Sequence, residues 1–344
     1  MSSPSTNSIR LSVLDLSPVS SGSSSAEALH NTLDLARLTD VLGYTRYWLA
    51  EHHNTSFIAS AVPEIMIGHV ANVTTRIRVG SGGVMLPNHV PLKVVETFRT
   101  LEALHPGRVD LGIGRAPGTG PLTAFALRGS REALTADDFP EQMDHLLAFF
   151  SGGFPDDHPF HRIRPMPDGV PTPEIWLLGS SGFSAELAAR LGLGFAFAHH
   201  ISPEPAVDAL RTYRERFQPS IYFSTGRSFL AVSVVCAPTD EEAEVLARPI
   251  KLGALFLRQG RLRPLPTIEE ATAYPYTPAE REQIRLNQNR IFVGSPATLH
   301  GRLSQLAAEA GVDELMIMTI THSHEDRRRS YELLAKEFAL PSEG

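Results

Sequence analysis

The chain has 344 residues, 42 % of them hydrophobic and 20 % charged, and it carries a net charge of −7 at pH 7. A chain of this length can bury a large core, and it suits either two domains or one α/β barrel with insertions. The acidic balance, without a basic stripe, argues against a nucleic-acid partner. No run of about 18 apolar residues occurs, so we predict no membrane span.

One cysteine, Cys236, is present, so the chain cannot form an intramolecular disulfide. It stands in an apolar run, which favours a small core residue over a nucleophile. The first ten residues contain no apolar signal core, and we expect a cytoplasmic protein. The dense basic run of Arg327, Arg328 and Arg329 is predicted to be a solvated helix face.

Strand-like and helical runs alternate along the chain. Apolar β-type runs predict eight strands, over 9–19, 44–53, 77–87, 108–118, 174–182, 194–200, 229–238 and 313–321. Helical spacing with Ser, Pro or Gly boundaries predicts helices over 25–43, 62–74, 91–107, 137–152, 183–192, 203–217, 294–311 and 324–338. Because consecutive βα units require parallel strands with right-handed crossovers, eight of them favour a closed (β/α)8 TIM barrel over an open sheet.

We therefore predict one α/β domain over 1–344, a barrel with insertions and no edge strand. The insertions follow the fourth and seventh strands: a Gly-, Thr- and Pro-rich loop over 116–136, and a long, mostly helical stretch over 239–290. Both are candidate specificity elements, and the second is a candidate lid; the alternative for each is a surface excursion. The proline-rich segment 153–173 is interpreted as an excursion of the same barrel, not as a linker.

Polar side chains follow several of the predicted strands. They are Glu51, His52 and His53, then Asn88 and His89, Arg115, Gly179 to Gly182, His199 and His200, and His322 and His324. Seven of the 14 histidines thus fall at the carboxyl ends of strands. Active sites of such barrels form at that end, so the pattern predicts a site there.

A metal site is one interpretation of these histidines. Neighbouring residues of an extended strand point to opposite sides, so His52 and His53 cannot both bind one ion. The first strand ends in Asp15-Leu16-Ser17-Pro18, without the histidines of a metallohydrolase barrel, and the HPFH sequence at 158–161 lies in a proline-rich loop. We therefore predict no metal.

An anion site is favoured by the sequence LLGSSGFSAELAARLG. A strand, a turn of small residues and a helix aim free backbone N–H groups and the positive end of the helix at an anion. The hydroxyl groups of Ser180, Ser181 and Ser184 could add donors, and Arg115 on the neighbouring strand end could supply a guanidinium. The alternative is a capped helix with a structural arginine. Dinucleotide and P-loop fingerprints are absent from the sequence.

Glycines interrupt the third predicted strand, GSGGVMLP. Gly80, Gly82 and Gly83 indicate a bulge or a close approach of the backbone to a ligand.

Four segments, taken in order, resemble the bacterial luciferase-like flavin-dependent monooxygenases and oxidoreductases. They are YWLAEHH, VGSGGVMLPNHVPLKVVETFRTLEALHPGRVDLGIGRAPG, WLLGSSGFSAELAARLGL and VGSPATLHGRL. The resemblance extends over about 9–338, and it is closer to the single-component subgroup than to the light-emitting subunits.

The resemblance implies an FMN ring across the carboxyl ends of the strands, over a bulge at Gly82 and Gly83 that often contains a non-prolyl cis peptide. It implies that Arg115 and the turn of Gly179, Ser180, Ser181 and Ser184 bind the flavin phosphate. His52 matches the histidine that supports flavin–oxygen chemistry by proton transfer, for which an imidazole has a suitable pKa. Glu51 is interpreted as a structural acid.

The favoured function is oxidation of a small organic substrate by O2 and reduced FMN. A partner flavin reductase is the favoured source of electrons, and direct reduction by NAD(P)H is the alternative. The same barrel also hosts F420-dependent hydride-transfer enzymes, and some relatives bind flavin without clear catalysis. The family is commonly dimeric, so the resemblance implies a homodimer.

Overall fold

The computed structural model describes residues 9–130 and 138–341. Its ten strands belong to one sheet: β1 Arg10–Asp15, β2 Arg46–Leu49, β3 Arg78–Ser81, β4 Val84–Met85, β5 Val109–Gly114, β6 Glu174–Gly179, β7 Gly194–Ala198, β8 Ser228–Cys236, β9 Ile291–Gly294 and β10 Glu314–Met318.

The sheet closes into a ring. Neighbouring strands run in the order β10-β1-β2-β3-β5-β6-β7-β8, and β8 pairs with β10 to complete the circle. All of these pairings are parallel. The short strand β4 follows β3 after Gly82 and Gly83 and pairs with β5, so β3 and β4 occupy one place in the ring. The predicted (β/α)8 TIM barrel is confirmed.

Strand β8 is the longest in the ring, and it changes partner along its length. Leu230 to Ser233 pair with β10, whereas Ser233 to Cys236 pair with β9. Among the described residues β9 pairs with β8 alone, so it is an edge strand that the sequence analysis did not predict. Only four residues long, it was too short to stand out beside the helical patterns around it.

Helices surround the ring. They are α1 Ser25–Val41, α2 Pro63–Val73, α3 Pro91–Leu104, α4 Pro121–Arg128, α5 Phe139–Ser151, α6 Gly182–Leu191, α7 Ala206–Arg216, α8 Asp240–Leu246, α9 Arg248–Arg258, α10 Ile268–Ala273, α11 Pro278–Leu286, α12 Pro296–Ala310 and α13 His324–Glu337. None of these helices is long and apolar enough to cross a bilayer, within the residues described.

The two insertions are more ordered than a loop. Helix α4 lies inside 116–136, where the Gly- and Pro-rich composition predicted irregular structure, while 131–137 falls outside the described residues. The stretch 239–290 contains α8 to α11, as expected. Its proline-rich interruption binds the segment after β1, because Leu265 N donates to Val19 O (2.9 Å) and accepts at its own carbonyl from Ser21 N (2.8 Å).

Charged side chains fill the lower end of the barrel, where the strands begin. Arg46 donates to Asp110 (2.8 Å), Glu174 (3.1 Å) and Glu314 (2.9 Å), and it is almost completely buried. Arg78 bonds the other oxygen of Asp110 (2.5 Å). Burial alone would raise the pKa of Asp110, but the charges of Arg46 and Arg78 and their hydrogen bonds lower it. Each of these buried charges therefore has an opposite partner.

Aromatic rings fill the next interior level. Trp48, Trp176 and Phe229 contact one another, with ring centroids 5.0 to 6.0 Å apart. The ring nitrogen of Trp48 donates to Asp110 (2.9 Å), which joins this level to the charges below it. The barrel is closed from below, so any ligand must enter from the carboxyl ends of the strands.

Arg327 does not lie on a solvated helix face. It is buried between α13 and the ring, where it donates to Asp15 at the end of β1 (2.6 Å) and to Thr319 O (2.9 Å). The hydroxyl group of Tyr47 also donates to Asp15. The prediction was wrong for Arg327 because its partner, Asp15, lies 312 residues earlier in the chain. Its neighbours Arg328 and Arg329 are more exposed, and they pair with Asp34 and Glu332.

Candidate active site

Small side chains form the top interior level of the barrel. Alternation along the strands places Ala50, Gly82, Gly114 and Ala198 above the aromatic level, on the inward side. Ala50 packs with Trp48 in the interior cluster, whereas Tyr47 and Leu49 pack outward against the helices. The small residues leave space at the carboxyl end, which we call the mouth of the barrel.

His52 and His200 continue the inward-facing positions of β2 and β7. These two strands lie on opposite sides of the ring, so the two imidazoles face each other across the mouth. The positive form of each would disfavour that of the other: burial lowers the pKa of His52 to about 4, and His200 contributes to the lowering. Both residues are therefore predominantly neutral at pH 7.

The two imidazoles offer different atoms to a ligand. The Nδ1 atom of His52 is buried and has no hydrogen-bond partner in the described part of the chain. His200 Nδ1 lies 3.0 Å from the carbonyl of Ala231, which can only accept, so Nδ1 carries the proton. In the neutral ring Nε2 is then an acceptor, and no partner for it occurs among the described residues.

Glu51 lies on the other side of the main chain from His52, and it is fully buried. Its carboxylate accepts from His53 Nε2 (2.9 Å), His89 Nε2 (3.0 Å) and Met85 N (2.8 Å). Burial would raise its pKa, but these hydrogen bonds lower it. The carboxylate thus joins the end of β2 to β4 and to the turn that follows, and His53 points away from the mouth.

His89 forms the second half of this buried pair. Burial would lower its pKa, but the hydrogen bond and charge of Glu51 raise it. The side chain of Asn88 bonds Pro117 O (2.9 Å), and His53 N donates to Gly118 O (3.2 Å). The insertion after β5 is therefore fastened to the same wall of the mouth.

The bulge between β3 and β4 has no room for side chains. The peptide bond between Gly82 and Gly83 is cis. A Cβ atom on Gly82 would lie 2.8 Å from Leu14 Cδ1, and one on Gly83 would lie 2.7 Å from Gly112 O. Packing therefore requires glycine at both positions, because Leu14 and the main chain at Gly112 occupy the space that side chains would need.

Arg115 follows β5 and is exposed. Its guanidinium carbon lies 4.5 Å from the ring centre of Phe183, in the first turn of α6. No carboxylate pairs with Arg115 among the described residues. Ser181 is the N-cap of α6, but no side chain bonds the first N–H groups of that helix. A guanidinium and free helix N–H groups converge here, which suits an anion.

The turn before α6 is tightly packed from below. A Cβ atom on Gly179 would lie 2.2 Å from Ser184 Cβ, so the helix begins against the end of β6. Ser184 is buried, whereas Ser180 is half-buried and Ser181 is exposed. The structure thus brings Arg115 and the predicted turn together, and it places Ser180 and Ser181 where a ligand could reach them.

The other strand-end histidines do not join one site. His199 faces outward and contacts the ring of Phe292, with centroids 5.6 Å apart. His324 pairs with Asp34 of α1 (2.8 Å), and His322 bonds Ser21 (3.1 Å). All seven histidines follow strands of the ring, but these three, like His53, do not point into the mouth. No cluster of three or more possible metal-binding side chains occurs among the described residues.

Neither His200 nor His89 was predicted as a residue of the site. Both stood among the strand-end residues, but pairing with Ala231 and Glu51 depends on contacts across 31 and 38 residues. Alternation along β7 was the available signal for His200, since Ala196, Ala198 and His200 share one side of the strand.

Comparison with known sequences identifies relatives over the whole fold. A family model described as luciferase-like monooxygenase matches residues 9–314. The chain is 44 % identical over 331 residues to the uncharacterized protein YceB of Bacillus subtilis, covering 96 % of this chain and 99 % of that protein. It is 40 % identical to the luciferase-like monooxygenase of Escherichia coli K12 (94 % and 96 % covered) and 36 % identical to the N-acetyl-S-alkylcysteine monooxygenase of Bacillus subtilis (95 % and 97 %).

Solved structures show the same architecture. Apo-MsnO8 has a TM-score of 0.89 and 40 % identity, covering 98 % of this chain and 99 % of that one. The oxygenating constituent of 3,6-diketocamphane monooxygenase from Pseudomonas putida, in complex with FMN, has a TM-score of 0.72 and 21 % identity (96 % and 98 % covered). An F420-dependent secondary alcohol dehydrogenase shares the fold with a TM-score of 0.66 and 13 % identity (96 % and 99 %). The chain belongs to the luciferase-like monooxygenase family.

Proposed function

We propose that this protein is a monooxygenase that uses reduced FMN and O2 to oxidise a small organic substrate at the mouth of the barrel. The observation that carries the proposal is the presence, at the carboxyl ends of the strands, of two groups that lack a polar partner among the described residues: Arg115 beside the start of α6, and the buried Nδ1 of His52. Reduced FMN supplies the electrons that allow O2 to transfer one oxygen atom.

The phosphate of FMN would bind at the β6–α6 turn. Arg115 is the cationic donor, and the N–H groups at the start of α6 are the neutral donors. Ser180 and Ser181 add hydroxyl groups within reach of solvent, while the buried Ser184 packs on Gly179 and supports the turn. These donors match a phosphate dianion in charge and in hydrogen-bond type.

The flavin ring would lie on the top interior level. The small side chains of Ala50 and Ala198 would leave space for the ring, and Leu14, against Gly82, and Met85, against Gly114, would border it. His52 then holds or moves a proton at Nδ1, which its neutral state at pH 7 permits. Glu51 would support this site indirectly, because its carboxylate bonds Met85 of β4 and His89 in the turn that follows β4.

FMN is preferred to F420 because a relative with 36 % identity is named as a monooxygenase of N-acetyl-S-alkylcysteine, which indicates oxygen chemistry on a small organic molecule. The F420-dependent neighbour is more distant in sequence, at 13 % identity. Electrons would come from a separate flavin reductase, and NAD(P)H is the alternative source.

Anaerobic titration of the purified protein with FMN and with F420 tests the cofactor. We expect saturable FMN binding by fluorescence quenching, and binding of F420 alone would overturn the proposal. The monooxygenase reaction is tested with reduced FMN, O2 and a panel of thioethers and ketones, and product formation is followed by mass spectrometry. A protein that binds FMN but oxidises none of these faster than free FMN would favour the non-catalytic, flavin-binding alternative.

The homodimer and the cytoplasmic location stay predictions. Exposed apolar side chains on neighbouring parts of α2, α3 and α4 support self-association; they are Val62, Ile65, Val90 and Leu122. Light scattering on a sizing column would give the mass in solution, for which we expect about twice that of one chain.

A further inference from the structure

Arg290 stands at the rim of the mouth, immediately before β9. Ile291, the first residue of β9, pairs with Ser233 of β8. Two residues earlier on β8, the carbonyl of Ala231 accepts the proton of His200 Nδ1. The main chain therefore brings Arg290 close to the His200 side of the mouth, at the junction between the barrel and the insertion 239–290.

The guanidinium of Arg290 is half-buried, and no hydrogen-bond or ion-pair partner for it occurs in the described part of the chain. Its positive charge acts on Arg258. The pKa of Arg258 is lowered mainly by burial and to a smaller extent by the charge of Arg290. Arg258 itself bonds the side-chain oxygen of Asn287, which is neutral. Two neighbouring guanidinium groups thus lack a carboxylate between them, an arrangement that favours a bound anion.

A cleft of about 160 Å3, which we call the rim cleft, separates α9 from α11 beside Arg290. Four basic residues line it, Lys251, Arg258, Arg285 and Arg290, and no acidic residue does so within the described residues. Lys251 and Arg285 are neutralised from outside by Glu244 and Glu282. The uncompensated charge of the rim cleft is therefore that of Arg258 and Arg290.

Apolar side chains line part of the rim cleft, beside the neutral amides of Gln283, Asn287 and Gln288. The apolar side chains are those of Ala254, Leu255, Ile284 and Ile291. A site for a free inorganic anion would not need this apolar wall, whereas a carboxylate attached to a small apolar body matches both parts.

We propose that Arg290 and Arg258 bind the carboxylate of the substrate, so that the enzyme acts on small organic acids. This inference rests on the proposed function, because it names the substrate class for the same mouth. The carboxylate would bind Arg258 and Arg290 in the rim cleft, with the adjacent carbon atoms against Ile284 and Ile291. The far end of the molecule would extend past His200 into the mouth. His200 Nε2 can accept a hydrogen bond from an N–H or O–H group on the same molecule.

Calorimetric titration of the FMN-saturated protein tests the site with benzoate and with benzamide, which has the same shape without the charge. We expect benzoate to bind about tenfold or more tightly than benzamide, as a charge-assisted contact requires. Arg290→Gln should remove this preference. Arg285→Gln is the matched control, since Arg285 lines the same rim cleft but pairs with Glu282 (2.7 Å), and it should change benzoate affinity by about twofold at most.

Three results would overturn the inference: equal affinity for benzoate and benzamide, an equal loss in both variants, or displacement of benzoate by inorganic phosphate at equal concentration, which would indicate a site for free anions.

The NMR signals of the His200 ring locate the ligand. Arg290→Gln and bound benzoate should both raise its pKa, because burial and then the charge of Arg290 lower it. Benzoate that leaves these signals unchanged lies outside the mouth and contradicts the proposal.

The affinity for FMN, measured in the same variants, separates this inference from the proposed function. We expect Arg290→Gln to bind FMN as the wild type does, because the phosphate donors lie at Arg115 and α6. A protein that fails to bind FMN at all refutes the proposed function, whatever the result with benzoate.

Discussion

The polar side chains at the two ends of the barrel differ in how completely they are paired. At the lower end Arg46, Asp110 and Glu314 are buried and each has an opposite charge within 3.0 Å. At the mouth Arg115 has no carboxylate, and Nδ1 of His52 has no partner, among the residues described. Removing one member of a buried ion pair is strongly destabilising, whereas a buried polar atom without a partner, such as Nδ1 of His52, costs free energy unless a ligand completes it. The difference therefore separates residues for stability from residues for binding.

The largest effect is expected at the lower end. Asp110→Asn removes a charge shared by Arg46 and Arg78, so it should lower the free energy of unfolding by about 3–5 kcal/mol, measured by urea denaturation. Asp313→Asn is the control, because its pair with Arg10 is exposed and contributes about 0–1 kcal/mol. A stable Asp110→Asn protein that has lost FMN binding would contradict the assignment of the lower end to stability and the mouth to binding.

His52→Asn should act on the reaction instead. Loss of a group that moves a proton slows such steps by about 10²–10⁴-fold, here the oxidation of enzyme-bound reduced FMN followed by stopped-flow absorbance. Because burial lowers the pKa of His52 to about 4, the wild-type rate should fall only as the pH approaches 4, not near 6.5. His69→Asn, on the exposed face of α2, is the control. Unchanged rates in His52→Asn would remove the proposed role.

Arg115→Ala should weaken FMN binding by about 10- to 100-fold, since a charge-assisted hydrogen bond to the phosphate is lost. The thermal midpoint should hardly change, because Arg115 is exposed. The matched variant is Arg190→Ala, at the opposite end of α6, which should keep the wild-type dissociation constant. Equal losses in the two variants would place the phosphate elsewhere.

The smallest effect is expected from Glu51→Gln. The pKa of His89 is raised in the folded protein, so its contribution to stability is present below pH 6.5 and is lost as the pH rises through the folded pKa. Without the charge of Glu51 this pH dependence should flatten, and the NMR pKa of His89 should fall. Glu64→Gln is the comparison, since the charge of Glu64 also raises the pKa of His89 but without a hydrogen bond, so this variant should lower that pKa less. A His89 pKa that does not move would contradict the pairing.

Regular patterns predicted the barrel well, and single contacts between distant segments account for the failures. All eight strands of the ring and their helices were recognised because hydrophobic periodicity is a local signal. Burial of Arg327 depends on Asp15, and the role of His200 depends on Ala231. Composition also misled for α4, since Pro121 begins this helix and Gly129 is its C-cap, so these residues mark helix boundaries and not an irregular loop.

At Ser233 the strand β8 changes its pairing partner from β10 to β9, and this change has a consequence for movement of the insertion 239–290. Beyond Ser233, β8 is bonded to β9, which directly follows the insertion 239–290. The insertion is therefore joined through β9 to the wall of the barrel, so a displacement of the insertion would strain the hydrogen bonds between β8 and β9. We expect amide exchange at Val234 and Cys236 to follow the movement of the insertion, while Leu230, bonded to β10, stays protected.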